Sequence, residues 1–461
     1  MDAKPSFYLF WCKITFMKEK QPLLLELLYP LKPHSYGYRR LCVECLTHGE
    51  YRRMKRVHIL SLILIIIVLT ASVSLLVSYT QSDNQPKDPV YVGIAYGGIT
   101  TTGAKLLIDK TKGYTNLFIL DSGINPISTN ESAIEEICDY AVNAGLNIIV
   151  NLGTFTRKNW PWQIQFFNTS RDKYGDKFLG AYYDDEPGGI PLDWDWPTYF
   201  TQNSSLFYGA NRSSLKDIQY KLQMANITGK QPDNYTEEAK FLNLLLEGNR
   251  GLNDLKRYNI TTFTSDYALY WFDYIGGYDT LFAQLGWNNS VNMQISLVRG
   301  AAKMQNKDWG AIITWKYMQP PYLDTGEAIY SQMEMAYNAG AKYITIFDYP
   351  YNNTDNPYGV MNDEHFQALQ QFWNQVVTKS TPNSAQAQAA LVLPKDYGWG
   401  MRRIDDKIWG FWGPDDKSPI IWNTAQKLLD LYGLRLDIIY DDPAFPILGN
   451  YSKVYFWNQT I

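Results

Sequence analysis

The run FLGAYYDDEPGG at residues 178–189 sets three carboxylates in a row, Asp184, Asp185 and Glu186, after an apolar stretch and before Pro187-Gly188-Gly189. Side chains of an extended strand alternate between faces, so Gly180, Tyr182, Asp184 and Glu186 are expected on one face and Asp185 on the other. Two carboxylates about 7 Å apart on one face repel, which raises the proton affinity of one and holds the other ionised. Glu186 is then a candidate general acid and Asp184 the group that tunes it. Asp266 and Asp348, elsewhere in the chain, are candidates for a second carboxylate acting as nucleophile or as base for water. The competing structural expectation is an acidic, solvated turn at 184–186, with Asp266 and Asp348 capping the helices that follow them.

Composition narrows the chemistry. Of four His and four Cys in 461 residues, only His365 and Cys138 lie beyond residue 58. A His/Cys zinc site and an intrachain disulfide in the body therefore lack partners, and a Ser-His-Asp triad has only His365, at a helix start in MNDEHF where no catalytic role is expected. Cys138 reads as a small buried residue. Cys42, Cys45 and His48 make half a zinc site. The net charge of −4 divides into +6 over residues 1–56 and −10 over the rest, and a body that acidic lacks the positive footprint a phosphate backbone demands. No nucleic-acid partner is expected. Tyr96-Gly97-Gly98 lacks the spacing of a phosphate-binding loop, and although residues 184–186 offer oxygen ligands for calcium, no EF-hand loop is present. No cofactor and no metal are expected, which leaves carboxylates, amides and aromatic rings.

Eight apolar runs alternate with segments of helical period: Val90–Tyr96, Asn116–Leu120, Asn147–Asn151, Phe178–Asp184, Ile260–Ser265, Asp279–Gln284, Ala311–Trp315 and Lys342–Phe347. Repeated strand–helix units with nearly continuous apolar strands imply a parallel sheet covered by helices, and eight imply an α/β (β/α)8 TIM barrel over 90–380. A long insertion after strand 4, 188–257, would wall or cover the mouth. Residues 387–461 read as a small C-terminal α/β sandwich domain. In such barrels the site lies at the C-terminal ends of the strands. Near those ends stand Tyr96, Asp121, Tyr182, Trp271, Trp287, Trp315 and Tyr317, whose rings and polar tips suit stacking on sugar rings and binding of hydroxyls. Trp194 and Trp196 in the insertion are candidate exposed aromatics.

Glycosidic cleavage needs a protonated carboxyl on the leaving oxygen and a second carboxylate across the sugar, which Glu186 with Asp184, Asp266 or Asp348 would supply. At these residues the chain resembles the (β/α)8 glycoside hydrolase superfamily, whose common arrangement has an acid Glu after strand four. FLGAYYDDEPGG is similar to the Asp-Glu-Pro segment of extracellular glycosidase-like barrels. A barrel followed by a small glutaminase-like domain is similar in layout to the family 42 β-galactosidases. The resemblance implies hydrolysis of an external glycan with Glu186 as acid. Retaining relatives carry a nucleophile Glu after strand seven, where this chain has Trp315-Lys316-Tyr317 and its nearest Glu is Glu327, so the usual retaining pair is incomplete. Asp184-x-Glu186 also resembles the end of the family 18 chitinase motif, but Tyr182 and Leu179 occupy its earlier Asp positions. The alternative is a catalytically inactive barrel that binds surface glycan or belongs to the cell envelope. A solute receptor fits less well, because such proteins have two similar lobes.

Residues 59–79, ILSLILIIIVLTASVSLLVSY, carry no charge over 21 positions, and at about 1.5 Å per residue such a helix spans a bilayer core of roughly 30 Å. Arg52, Arg53, Lys55 and Arg56 precede it, so a cytoplasmic segment 1–58, a transmembrane signal anchor, a linker 80–89 and an extracellular body at the cell membrane are expected. A cleaved signal peptide is the alternative, although no A-x-A site follows. MKRVHILSLIL makes Met54 a candidate start. Eleven Asn-x-Ser/Thr sequons follow, at Asn130, Asn168, Asn203, Asn211, Asn226, Asn234, Asn259, Asn288, Asn352, Asn450 and Asn458. Chance would give about three or four, so a glycosylated outer surface is expected.

Overall fold

The structure is a computed structural model, and it describes residues 89–121, 123, 126–153, 160–193, 232–349, 356–379, 386–447, 449–459 and 461. The chain divides into Met1–Lys87 and Asp88–Ile461, of which the second carries the described elements. Among the described residues no helix is long and apolar enough to cross a membrane; the apolar run 59–79 lies outside them.

The strands are β1 (Tyr91–Tyr96), β2 (Leu117–Asp121), β3 (Asn147–Asn151), β4 (Phe178–Tyr182), β5 (Thr262–Asp266), β6 (Thr280–Leu285), β7 (Asp308–Ile313) and β8 (Tyr343–Asp348). They pair in parallel in chain order and close through β1 on β8, the expected TIM barrel. Between them lie α1 (Thr101–Thr111), α2 (Glu131–Asn143), α3 (Trp160–Tyr174), α4 (Gly189–Asp193), α5 (Tyr235–Glu247), α6 (Arg250–Arg257), α7 (Tyr270–Gly276), α8 (Val291–Met304) and α9 (Gly326–Asn338). Helix α10 (Asp363–Phe372) follows β8. Side-chain caps start several of these helices, with Thr100, Asn130, Asn234, Ser290 and Thr325 each accepting a first-turn N–H. His365 is structural. Its Nδ1 accepts the Asn362 N–H and its Nε2 lies 2.9 Å from the Asp324 carbonyl, which joins α10 to the loop after β7.

Inside the barrel Ala95, Leu117, Ile119, Ile149, Tyr182, Phe263, Phe282, Ile312 and Tyr343 form one buried cluster, and a second fills the space between strands and helices. Tyr343 meets Phe263 and Phe282 edge-on at 5.3 and 5.8 Å. Two strand ends differ from the sequence expectation. β4 stops at Tyr182 rather than Asp184, because Asp184 takes a left-handed backbone (φ +56°). β7 runs Asp308–Ile313, earlier than expected, which leaves Trp315 in the loop beyond it.

After α10 the chain builds β9 (Ala389–Leu393), α11 (Ser418–Tyr432), β10 (Leu436–Tyr440) and β11 (Lys453–Phe456), with the strands parallel in the order β10-β9-β11. This small C-terminal sheet belongs to the same compact unit as the barrel. β10 lies against α8, where a Cβ on Gly300 would come within 2.5 Å of the Ile438 carbonyl oxygen; only glycine allows that approach. Beside it the buried Arg299 Nε donates to Asp437 Oδ1 (2.7 Å) and Nη2 to the Leu436 carbonyl (2.9 Å), while the Tyr451 hydroxyl donates to Asp437 Oδ2 (2.9 Å). Removing one member of a buried pair strands the other charge, at a cost of about 3–5 kcal/mol. Asp437→Ala is therefore expected to lower the urea midpoint of the barrel and the sheet together. Separate transitions, or an unchanged midpoint, would show that this pair does not join them.

Candidate active site

The alternation that buries Ile119, Ile149, Phe263 and Phe282 inside the barrel brings Asp121, Asn151, Ser265 and Gln284, two residues on, to the top of the same inward faces. A polar ring therefore crowns an apolar core. Asn151 Nδ2 donates to Asp121 Oδ1 (2.6 Å), and Asn151 Oδ1 accepts the Gly153 N–H (2.7 Å). Ser265 Oγ donates to Asp185 Oδ1 (3.0 Å) and accepts from Gln284 Nε2 (2.9 Å). The Tyr182 hydroxyl donates to the same Asp185 oxygen and accepts the Ser265 N–H (3.1 Å). Gln284 Nε2 also donates to Glu186 Oε1 (2.7 Å), and Gln284 Oε1 takes the Trp287 indole N–H at 3.4 Å. That last contact fixes the amide so that its NH2 must face Glu186.

The neighbour of Glu186 in this ring is Asp185, which corrects the expectation that Asp184 shares its face. The left-handed turn at Asp184 and Glu186 (φ +54°) breaks the period of two, and the Asp184 carbonyl accepts from the Thr264 hydroxyl. Asp185 is exposed to water as a residue, yet protein crowds its carboxylate. That crowding raises its proton affinity, offset in part by the Tyr182 and Ser265 hydroxyls. Burial and the Asp185 charge lift Asp121 to about 7. Burial, then the Asp185 charge, lifts Glu186 to about 8 against the pull of Gln284, so Glu186 holds its proton at neutral pH. Oε1 is occupied by Gln284, which leaves Oε2 for that proton.

Asp266 and Asp348, expected near the reaction, are placed as anchors instead. Asp266 is fully buried and accepts the N–H groups of Gly188, Gly189, Tyr267 and Ala268 at 2.7–3.2 Å. Asp348, 1% exposed, accepts from Val360 and Met361 (2.8 and 3.2 Å) and holds the loop after β8. Burial lifts them to about 6 and about 7. Among the described residues no group of three or more His, Cys, Asp or Glu is placed to hold a metal ion.

The aromatic candidates divide. Trp315 gathers Trp287, Tyr322, Phe347 and Tyr349 at 5.7–6.4 Å, a wall over β6 to β8, with Trp287 37% and nearby Tyr317 40% exposed. Tyr182 belongs to the floor. Tyr96 and Trp271 are corrections. Tyr96 is buried in the helical shell, its hydroxyl donating to the Thr100 carbonyl (2.8 Å), because Ala95 takes the inward position. Trp271 is buried on α7 against Tyr440 and Phe445 of the C-terminal region. Of the sequons, Asn130, Asn168, Asn234, Asn259, Asn288, Asn450 and Asn458 are exposed; Asn203, Asn211, Asn226 and Asn352, like Trp194 and Trp196, lie outside the described residues. Sequence reasoning missed Asp185, Asn151, Ser265 and Gln284 as members of the site. The inward phase of β3, β5 and β6 is the signal that finds the last three.

No protein-family model and no curated protein matches the chain. Solved structures do. The β-galactosidase of the Antarctic haloarchaeon Halorubrum lacusprofundi superposes with a TM-score of 0.51 at 11% identity, over 79% of this chain and 68% of that one. The β-galactosidase of Marinomonas ef1 gives 0.49 at 10% (79% and 72%), and a GH5_18 protein of Streptomyces cattleya with Manβ1-4GlcNAc gives 0.46 at 12% (80% and 99%). What the chain shares with the haloarchaeal β-galactosidase is the (β/α)8 barrel fold. At such identities the likeness extends to the fold and not to residues, and the site stands on its own geometry. Gln284 stabilises the Glu186 anion, and a hydrogen bond to a charged group is worth about 1.5–3 kcal/mol. Gln284→Leu is therefore expected to raise the Glu186 midpoint above its present value by about one to two pH units, read by carbon-13 NMR of the glutamate carboxyls. A midpoint that stays or falls would contradict this placement.

Proposed function

We propose that this chain is a membrane-anchored, outward-facing glycoside hydrolase-like protein that cleaves or remodels an external glycan, with Glu186 as general acid. The observation that carries the reading is a carboxyl at the end of β4, protonated at neutral pH and one residue from a second carboxylate in an open, aromatic-walled mouth. The Glu186 proton passes to the glycosidic oxygen as the bond to the anomeric carbon breaks. Water adds to that carbon and gives its proton to an ionised carboxylate, for which Asp185 and Asp121 are the candidates at the mouth. Strand β7 leads into Ile313-Thr314-Trp315, so a carboxylate nucleophile from that strand is not part of this reading. The run 59–79 and the exposed sequons support the tether and an outer surface carrying glycans.

That same missing carboxylate favours a second reading, a barrel that binds glycan without cleaving it. Release of reducing ends from a polysaccharide panel separates the two. The acid reading expects release by the parent protein and a loss of about 10²–10⁴-fold in Glu186→Gln. Because the acid works only while protonated, the rate should fall as pH rises through about 8. Equal binding by both proteins with no release would leave the binding role.

A further inference from the structure

Behind the Glu186 turn lies a second acid that the chemistry above does not use. Asp273, on α7, is fully buried, and neither of its carboxylate oxygens receives a hydrogen from any described donor. Its polar neighbour within hydrogen-bond reach among the described residues is Asp266, itself fully buried. Groups facing the pair are Tyr270 and Tyr274 on the same helix, Tyr278 beyond it, Tyr267 after β5, and Glu186 from the β4 side. None of these is a cation; Arg402, 5.1 Å from the centre of the Tyr267 ring, is paired with Asp193 and Asp406, and neither acid forms an ion pair among the described residues.

Two neighbouring buried carboxylates that no cation pairs with cannot both be ionised, so the pair holds a proton. Its location follows from the donors. Asp266 takes four backbone N–H groups, which favour an anion there, while Asp273 takes none from the described residues. The proton therefore sits on Asp273 and points at Asp266. Two of the four N–H groups are those of Gly188 and Gly189, the second and third residues after Glu186. Both must be glycine: a Cβ on Gly189 would lie 2.6 Å from Asp266 Oδ1, and one on Gly188 would lie 2.8 Å from the Leu269 Cβ and 3.1 Å from Asp273 Oδ1. Glu186 itself sits in the left-handed region, which a non-glycine residue keeps only when its surroundings impose it.

We propose that Asp273 is a positioning residue: it keeps a proton, donates it to Asp266, and so maintains Asp266 as the anion whose oxygens lock the turn that presents Glu186. This rests on reading Glu186 as the acid of the site, but its test needs no turnover and survives if no substrate is cleaved. In the folded protein the proton on Asp273 is held far more tightly than in an unfolded chain, so this residue makes folding less favourable as pH rises above the ordinary carboxyl range near about 4. Asp273→Asn keeps an N–H for Asp266 and has no proton to lose; Asp273→Ala has neither.

Two measurements on the full chain decide between these roles. One is the Glu186 carboxyl titration by carbon-13 NMR, assigned by its absence in Glu186→Gln, and the other is melting temperature from pH 5 to pH 9. Asp273→Asn is expected to leave the Glu186 midpoint where it is in the parent and to flatten the fall of melting temperature with pH. Asp273→Ala should release the turn into water and return the Glu186 midpoint toward about 4.3. The proposal is overturned if the alanine variant folds with the parent's Glu186 midpoint, or if the asparagine variant loses that midpoint as alanine does. Should the alanine variant not fold, a melting profile of Asp273→Asn as steep as the parent's overturns it alone.

Discussion

The site depends on how this barrel holds carboxylates without cations. Asp121, Asp185, Glu186 and Asp266 crowd the tops of β2, β4 and β5, and none of them forms an ion pair among the described residues; their partners are Asn151, Tyr182, Ser265, Gln284 and backbone N–H groups. Neutral donors stabilise an anion less than a guanidinium or ammonium does. With burial opposing charge and each acid opposing its neighbour, the cheaper state for some of them is the protonated one. A glutamic acid that is neutral near pH 7 follows from that arrangement alone. Had an arginine replaced Asn151 or Gln284, the same carboxylates would be ordinary anions and the mouth would hold no acid.

Much of this is legible in the residues and some is not, for identifiable reasons. The eight strands show as short apolar runs between segments of helical period. Glu186, at the end of β4, is singled out by the same reading. Its partner is not, because the period of two holds only while the strand lasts, and two left-handed residues, Asp184 and Glu186, end it early and exchange Asp184 for Asp185. Trp271 has the sequence position of a mouth residue, after β5; it is instead covered by Tyr440 and Phe445, from a part of the chain roughly 170 residues on, and local pattern carries no such information. Asp266 and Asp348 have the right chemistry in the right loops. Whether a carboxylate faces water or a row of N–H groups is a tertiary fact, invisible to residue type.

The C-terminal region reaches this site from behind. Arg402 joins Asp193, at the end of α4, to Asp406, with four contacts of 2.7–2.9 Å to their carboxylates, and its guanidinium lies 5.1 Å above the Tyr267 ring. Tyr267 in turn donates to Asp193 (2.9 Å). Helix α4 is only five residues long and directly follows the acid's turn, too short to be stable alone. It is held at its start by Asp266 through Gly189 and at its end by Arg402 through Asp193. The C-terminal residues therefore act on the mouth through the same short helix that Asp266 anchors. Arg402 also keeps the Asp193 carboxyl below its ordinary range, so a full negative charge persists near Glu186 and contributes to the retention of its proton. A barrel without this region would lose one of the two clamps on the turn that carries its acid, which is a physical reason for the sheet and the barrel to form one compact unit.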